Sequence, residues 1–93
     1  MPERTVTVGS QSGLHARPAK LFVQAAAKQS VKVTLSAGAR TVDARSMLGV
    51  LSLGVDKGGQ VTVAAEGDGA AAAVDALARM LESDLDAEAP VDA

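Results

Sequence analysis

His15 is the only histidine of this 93-residue chain, and it stands in Gly13-Leu14-His15-Ala16-Arg17-Pro18. A neutral imidazole has a free lone pair and serves as a covalent carrier in group transfer. The residues after it predict the start of a helix, with a proline in the first turn, where a missing N–H breaks no intrahelical bond. The first N–H groups of such a helix, those of Ala16 and Arg17 among them, have no intrahelical acceptor. Together with the helix dipole they favour an anion, phosphate above all. The same positive end disfavours imidazolium, so the ring is expected to be neutral near pH 7. Arg17 adds a planar fork of donors for phosphoryl oxygens. Gly13 allows a close approach of the loop, and the small Ala16 leaves the helix end open. With the ring over that end, Nδ1 is the nitrogen nearer the backbone, so a phosphoryl group on Nδ1 would face the N–H groups. Phosphoryl transfer asks mainly for positioning and charge stabilisation, and these few residues could supply both.

The elements that must hold this site follow from periodicity. Arg4 to Val8 alternates as a strand, and Gly9 to Gly13 is a loop. From Ala16 onward, Ala19, Phe22, Val23 and Ala26 recur at helical spacing. Val31, Val33 and Leu35 alternate as a second strand, and a turn at Ser36–Ala39 leads to a third over Arg40–Asp43. Ser46 and Gly54 bracket a short helix as N-cap and terminating glycine. Val61, Val63 and Ala65 form a fourth strand, and Ala70, Ala73, Val74, Leu77 and Leu81 trace the buried stripe of a last helix. The order β-α-β-β-α-β-α predicts an α+β domain with helices on one face of a four-stranded, mainly antiparallel sheet. It does not fix strand neighbours, and a ferredoxin-like arrangement would read similarly.

Composition narrows the chemistry. The chain is one domain in size, with Phe22 as its single aromatic, so its core must close on small and branched aliphatics. No cysteine is present, which removes disulfides and thiolate metal sites. One histidine among scattered carboxylates argues against a metal, and no cofactor is expected. No basic start with an apolar run opens the chain, and no apolar stretch reaches the ~20 residues of a membrane span. A cytoplasmic protein is the expectation. The net charge is −2, yet residues 84–93 hold Asp84, Asp86, Glu88 and Asp92 and no base. Residues 1–83 then carry nine bases against seven acids. The expected organisation is a domain over 1–83 and an acidic, solvated tail over 84–93.

Ser12-Gly13-Leu14-His15-Ala16-Arg17-Pro18-Ala19 resembles the active-site signature of HPr, the histidine-containing phosphocarrier of the bacterial sugar phosphotransferase system. Ser46-Met47-Leu48-Gly49-Val50-Leu51-Ser52-Leu53-Gly54 is similar to that family's second signature. The resemblance covers residues 4 to about 83. It implies an open-faced β-sandwich with sheet order 1-4-2-3 and three helices on one face. It implies that His15 takes a phosphoryl group on Nδ1 from phosphorylated enzyme I, charged by phosphoenolpyruvate, and passes it to IIA domains of sugar permeases. Arg17 would hold the phosphoryl oxygens, and the protein would be a transfer intermediate rather than a turnover enzyme. Partners of the family dock on the first two helices. Here that surface would comprise Met47, Leu48 and Leu51 with Arg17 and Lys20 beside them, leaving Val50 and Leu53 buried. The resemblance also marks Ser46 as a candidate for regulatory phosphorylation by a serine kinase, with Arg45 where well-known regulated relatives carry lysine.

Two rival classes remain. An HPr-like regulatory interaction module, switched at Ser46, is the alternative to a carrier. An acyl carrier is the other, since Asp43-Ala44-Arg45-Ser46-Met47-Leu48 loosely matches a serine attachment site; the valine-rich strands argue against its helical bundle. One aromatic and no basic cluster argue against nucleic acid as a partner. Nothing marks an obligate dimer, so a monomer is the default.

Overall fold

Alternating burial along each strand builds one apolar sheet face, and the helices cover it. In the computed structural model, which describes residues 2–9, 13–14 and 16–83, the order is β1 (Glu3–Thr7), α1 (Ala16–Ala27), β2 (Val33–Ala37), β3 (Arg40–Asp43), α2 (Met47–Ser52), β4 (Gln60–Ala65) and α3 (Ala70–Glu82). The strands lie β1-β4-β2-β3, every neighbouring pair antiparallel. This is the open-faced sandwich, and it decides the question of strand neighbours that element order left open.

Val6, Val33, Leu35, Val61, Val63 and Ala65 point into the core. Their neighbours in the strands point to the uncovered face, where hydroxyls pair across strands: Thr5 Oγ1 with Thr62 Oγ1 at 2.8 Å, and Ser36 Oγ with Thr41 Oγ1 at 2.9 Å. α3 packs over β1 and β4, α2 against β3, and α1 against both other helices. Phe22, on the inner face of α1, is fully buried, as are Leu14, Leu35, Leu77 and Leu81. Much of the remaining core is valine and alanine.

β2 begins two residues later than its alternation suggested. Its ladder with β4 starts at Val33 opposite Ala65, where β4 ends, so Val31 has no strand partner. It is half-buried against the core instead. Edge strand β1 is tied to α3 by Arg4, whose Nη1 donates to Asp75 Oδ1 at 2.7 Å, while Arg79 Nε reaches Asp75 Oδ2 at 3.1 Å. These groups are substantially exposed, so each pair contributes on the order of 0.2–1 kcal/mol.

Candidate functional site

α1 opens at Ala16, immediately after His15 in the chain. Pro18, its third residue, is fully buried, and Arg17 and Lys20 are exposed on its outer side. His15 itself lies outside the described residues, as do residues 10–12 and 84–93.

The loop that carries His15 has both its feet fixed. Upstream, the Val8 N–H donates to Gly59 O at 2.9 Å, Val8 O accepts from the Gly58 N–H at 3.0 Å, and the Gly9 N–H donates to Leu81 O at 2.9 Å. Downstream, the Leu14 N–H donates to Val55 O at 2.8 Å, and the Leu14 side chain is wholly buried. Gly13 sits between with φ +70°, where an added Cβ would clash with the backbone of Val55 and Asp56. The close approach expected of this glycine is therefore to protein backbone. Sequence reasoning reads only a turn at Gly58-Gly59 in the Val55–Gly59 segment. The only hint there was the glycine cluster at 54, 58 and 59, which says that a turn exists and not what it touches.

α2 follows its predicted bracket. Ser46, at φ −96° and ψ 111°, accepts on Oγ from the Gly49 N–H at 3.0 Å, and Gly54 follows the last turn at φ +62°. Upstream, Asp43 organises the turn: its Oδ1 accepts from the Arg45 backbone N–H at 2.9 Å, and Arg45 Nη2 lies 3.3 Å from Oδ2. The hydrogen bond from the Arg45 side chain, then that from its backbone, holds the Asp43 carboxyl below its ordinary pKa. Ser46→Ala removes one satisfied N–H at the helix start and is expected to cost about 1 kcal/mol. A urea melt reads that loss directly.

The apolar side chains of α2 divide differently from the expectation. Val50 is fully buried as predicted, but Leu53 is only half-buried, because it is the C-cap and lies beyond the last helical residue. Met47 and Leu51 are half-buried and packed against the core. They sit three before and one after Val50, on its side of the helix. Leu48 points away and is 83% exposed, the sole large hydrophobic so exposed among the described residues. An apolar anchor on α2 is therefore chiefly Leu48, flanked by the accessible parts of Met47 and Leu51.

A family model described as the PTS HPr component phosphorylation site matches residues 2–83. The chain belongs to the HPr family. Within it, the phosphocarrier protein HPr of Streptomyces coelicolor is 45% identical over 87 residues, covering 92% of this chain and 94% of that protein. The crystal structure of HPr-C-His from Thermoanaerobacter tengcongensis superposes with a TM-score of 0.88 at 42% identity, over 96% of this chain and 100% of the other. The HPr of Bacillus anthracis str. Ames gives 0.83 at 36% identity, over 86% and 95%. The family assignment, the open-faced fold and the sheet order implied by the two signatures are thus borne out. The matched HPr structures are sheet-containing, and this chain shares their fold, which removes the acyl-carrier reading. No helix among the described residues is long and apolar enough to cross a membrane.

Proposed function

We propose that His15 accepts a phosphoryl group on Nδ1 from phosphorylated enzyme I, which phosphoenolpyruvate charges, and passes it to IIA domains of sugar permeases. The observation that carries this reading is the opening of α1 at Ala16, directly after the chain's one histidine. The first N–H groups of a helix beginning there, those of Ala16 and Arg17, have no intrahelical acceptor, and the dipole at that end favours anionic oxygens. In the transfer, the Nδ1 lone pair forms an N–P bond as phosphorus leaves its donor, and delivery runs the same exchange onto the recipient. The Arg17 guanidinium and the two N–H groups spread the charge of the moving PO₃ without gripping it as a metal would. That suits a carrier, which must release what it takes.

The carrier domain in this reading is residues 1–83, with 84–93 as an appended acidic tail. It works as a monomer in the cytoplasm, and no cofactor enters the reaction. Incubation with enzyme I and phosphoenolpyruvate adds one acid-labile phosphate per chain; no incorporation would overturn the reading.

Partners dock on the outer faces of α1 and α2, through Arg17, Lys20, Met47, Leu48 and Leu51. Apolar anchors with a basic rim suit acidic partners that exchange quickly. Leu48→Asp is expected to raise KM for both enzyme I and IIA about tenfold or more, the loss typical of an interface anchor. Its kcat and melting temperature should change little, because the side chain is 83% exposed. Steady-state phosphotransfer kinetics beside a thermal melt separate these effects.

A second reading, control by a serine kinase at Ser46, is favoured by that residue's exposure at the start of α2. A phosphate there would add about −1.5 to −2 charge beside Leu48. It would be an acid-stable ester, which distinguishes it from label on His15.

A further inference from the structure

We infer that the Val55–Gly59 segment is the positioning element for His15, and that Gly13 is the residue through which it acts. The inference rests on the reading of His15 as the phosphoryl acceptor, and it concerns what holds that acceptor in place.

Both feet of the histidine loop bind this one segment. Val8 exchanges two backbone hydrogen bonds with Gly58 and Gly59, and Leu14 donates to Val55 O. The segment is itself closed by the Gly59 N–H donating to Asp56 O at 2.9 Å. Gly13 meets it with no clearance. A Cβ at that position would collide with Val55 O and lie 2.6 Å from Asp56 Cα and 2.9 Å from Asp56 C, all backbone atoms that cannot swing aside. Its φ of +70° adds a conformation that L side chains rarely adopt. Gly59 makes the matching approach from within the segment, where a Cβ would lie 2.8 Å from Val55 Cγ1 and 3.0 Å from Asp56 O.

Any side chain at position 13 must therefore push the loop off the segment, two residues before His15. The buried Leu14 and the start of α1 allow little compensation on the other side. A backbone displacement at Gly13 is passed along the chain towards His15, and on this reading it misplaces the acceptor. A shift of about 1 Å can lower a rate by roughly 10²-fold. The same segment continues from the C-terminal end of α2, so it links the helix proposed for docking to the foot of the histidine loop at Leu14.

Gly13→Ala supplies the test, with Gly38→Ala as its control. Gly38 also has positive φ, +60°, but a Cβ there meets nothing within 4 Å, and it lies in the β2–β3 turn. Each substitution strains one backbone residue, and only Gly13→Ala presses on the segment. Gly59→Ala is the milder second variant should Gly13→Ala fail to fold. The expected result is that Gly13→Ala, still folded by circular dichroism, lowers kcat for phosphoryl transfer from enzyme I by about 10²-fold, with KM within about twofold. Gly38→Ala should keep the wild-type kcat.

As the chain's single histidine, His15 also gives one set of imidazole resonances by NMR. These should shift in Gly13→Ala and stay at the wild-type positions in Gly38→Ala. A folded Gly13→Ala or Gly59→Ala protein with the kcat and ring shifts of Gly38→Ala would overturn the inference. If the wild-type protein takes no phosphate, the proposed function falls, and the ring resonances still decide whether the segment positions His15.

Discussion

His15→Ala is expected to abolish phosphate incorporation from phosphoenolpyruvate and enzyme I, to below the limit of detection. Few single substitutions remove an activity outright, and the reason here is arithmetic. The chain has one histidine and no cysteine, so no neighbouring nucleophile of similar reactivity can take over. Binding contributions from Arg17 and the helix N-terminus would persist, but without a lone pair to form the N–P bond they have nothing to stabilise. Acid lability of the label is the informative readout: a phosphoramidate is lost in acid, whereas an ester on Ser46 survives. The stability of the variant should match wild type within about 0.5 kcal/mol if the ring makes no core contact, so a melt run in parallel guards against loss by unfolding. A labelled His15→Ala protein would place the acceptor elsewhere and sink the carrier mechanism.

Phe22→Ala should have the largest effect on stability, about 3–5 kcal/mol. Phe22 is completely buried and is the chain's only aromatic. Its own helix offers Ala19 and Ala26 on the same buried side, one turn before and one turn after. Side chains that small cannot lean into the vacated space, so most of the cavity stays open. A domain of this size holds about 5–15 kcal/mol in all, and the variant could forfeit most of that. Urea titration followed by far-ultraviolet circular dichroism should show the midpoint falling by about 1 M or more. An unchanged midpoint would mean that the helices are held to the sheet by something other than this contact. Leu48→Asp provides the contrast: both residues are large and apolar, one supports the fold, and the other faces solvent.

How much of this was legible in the sequence differed from element to element. The helices and strands could be placed because their signals are local: Val61-Thr62-Val63 alternates, and Ser46 and Gly54 mark the two ends of α2. The helix start beside His15 was legible for the same reason, since Pro18 restricts where a helix can begin. The division of α2 was misjudged in part. Six residues are too few for periodicity to assign Met47, Val50, Leu51 and Leu53 to faces, and the capping position of Leu53 took it off the helix. What no local pattern could give was contact between distant segments. Gly9 against Leu81 O, Leu14 against Val55 O, and Arg4 against Asp75 join positions tens of residues apart. The strand order likewise came from the two family signatures, because β-α-β-β-α-β-α admits more than one sheet.

The helices all lie on one side of the sheet, and the other side presents a quiet mosaic of paired threonine and serine hydroxyls. If the chain carries phosphate as proposed, its single working side can be gripped by only one protein at once. Donor and recipient would then take turns, and the loaded molecule would travel between them. Its concentration and diffusion, more than the strength of any complex, would set how fast the chain of handovers runs.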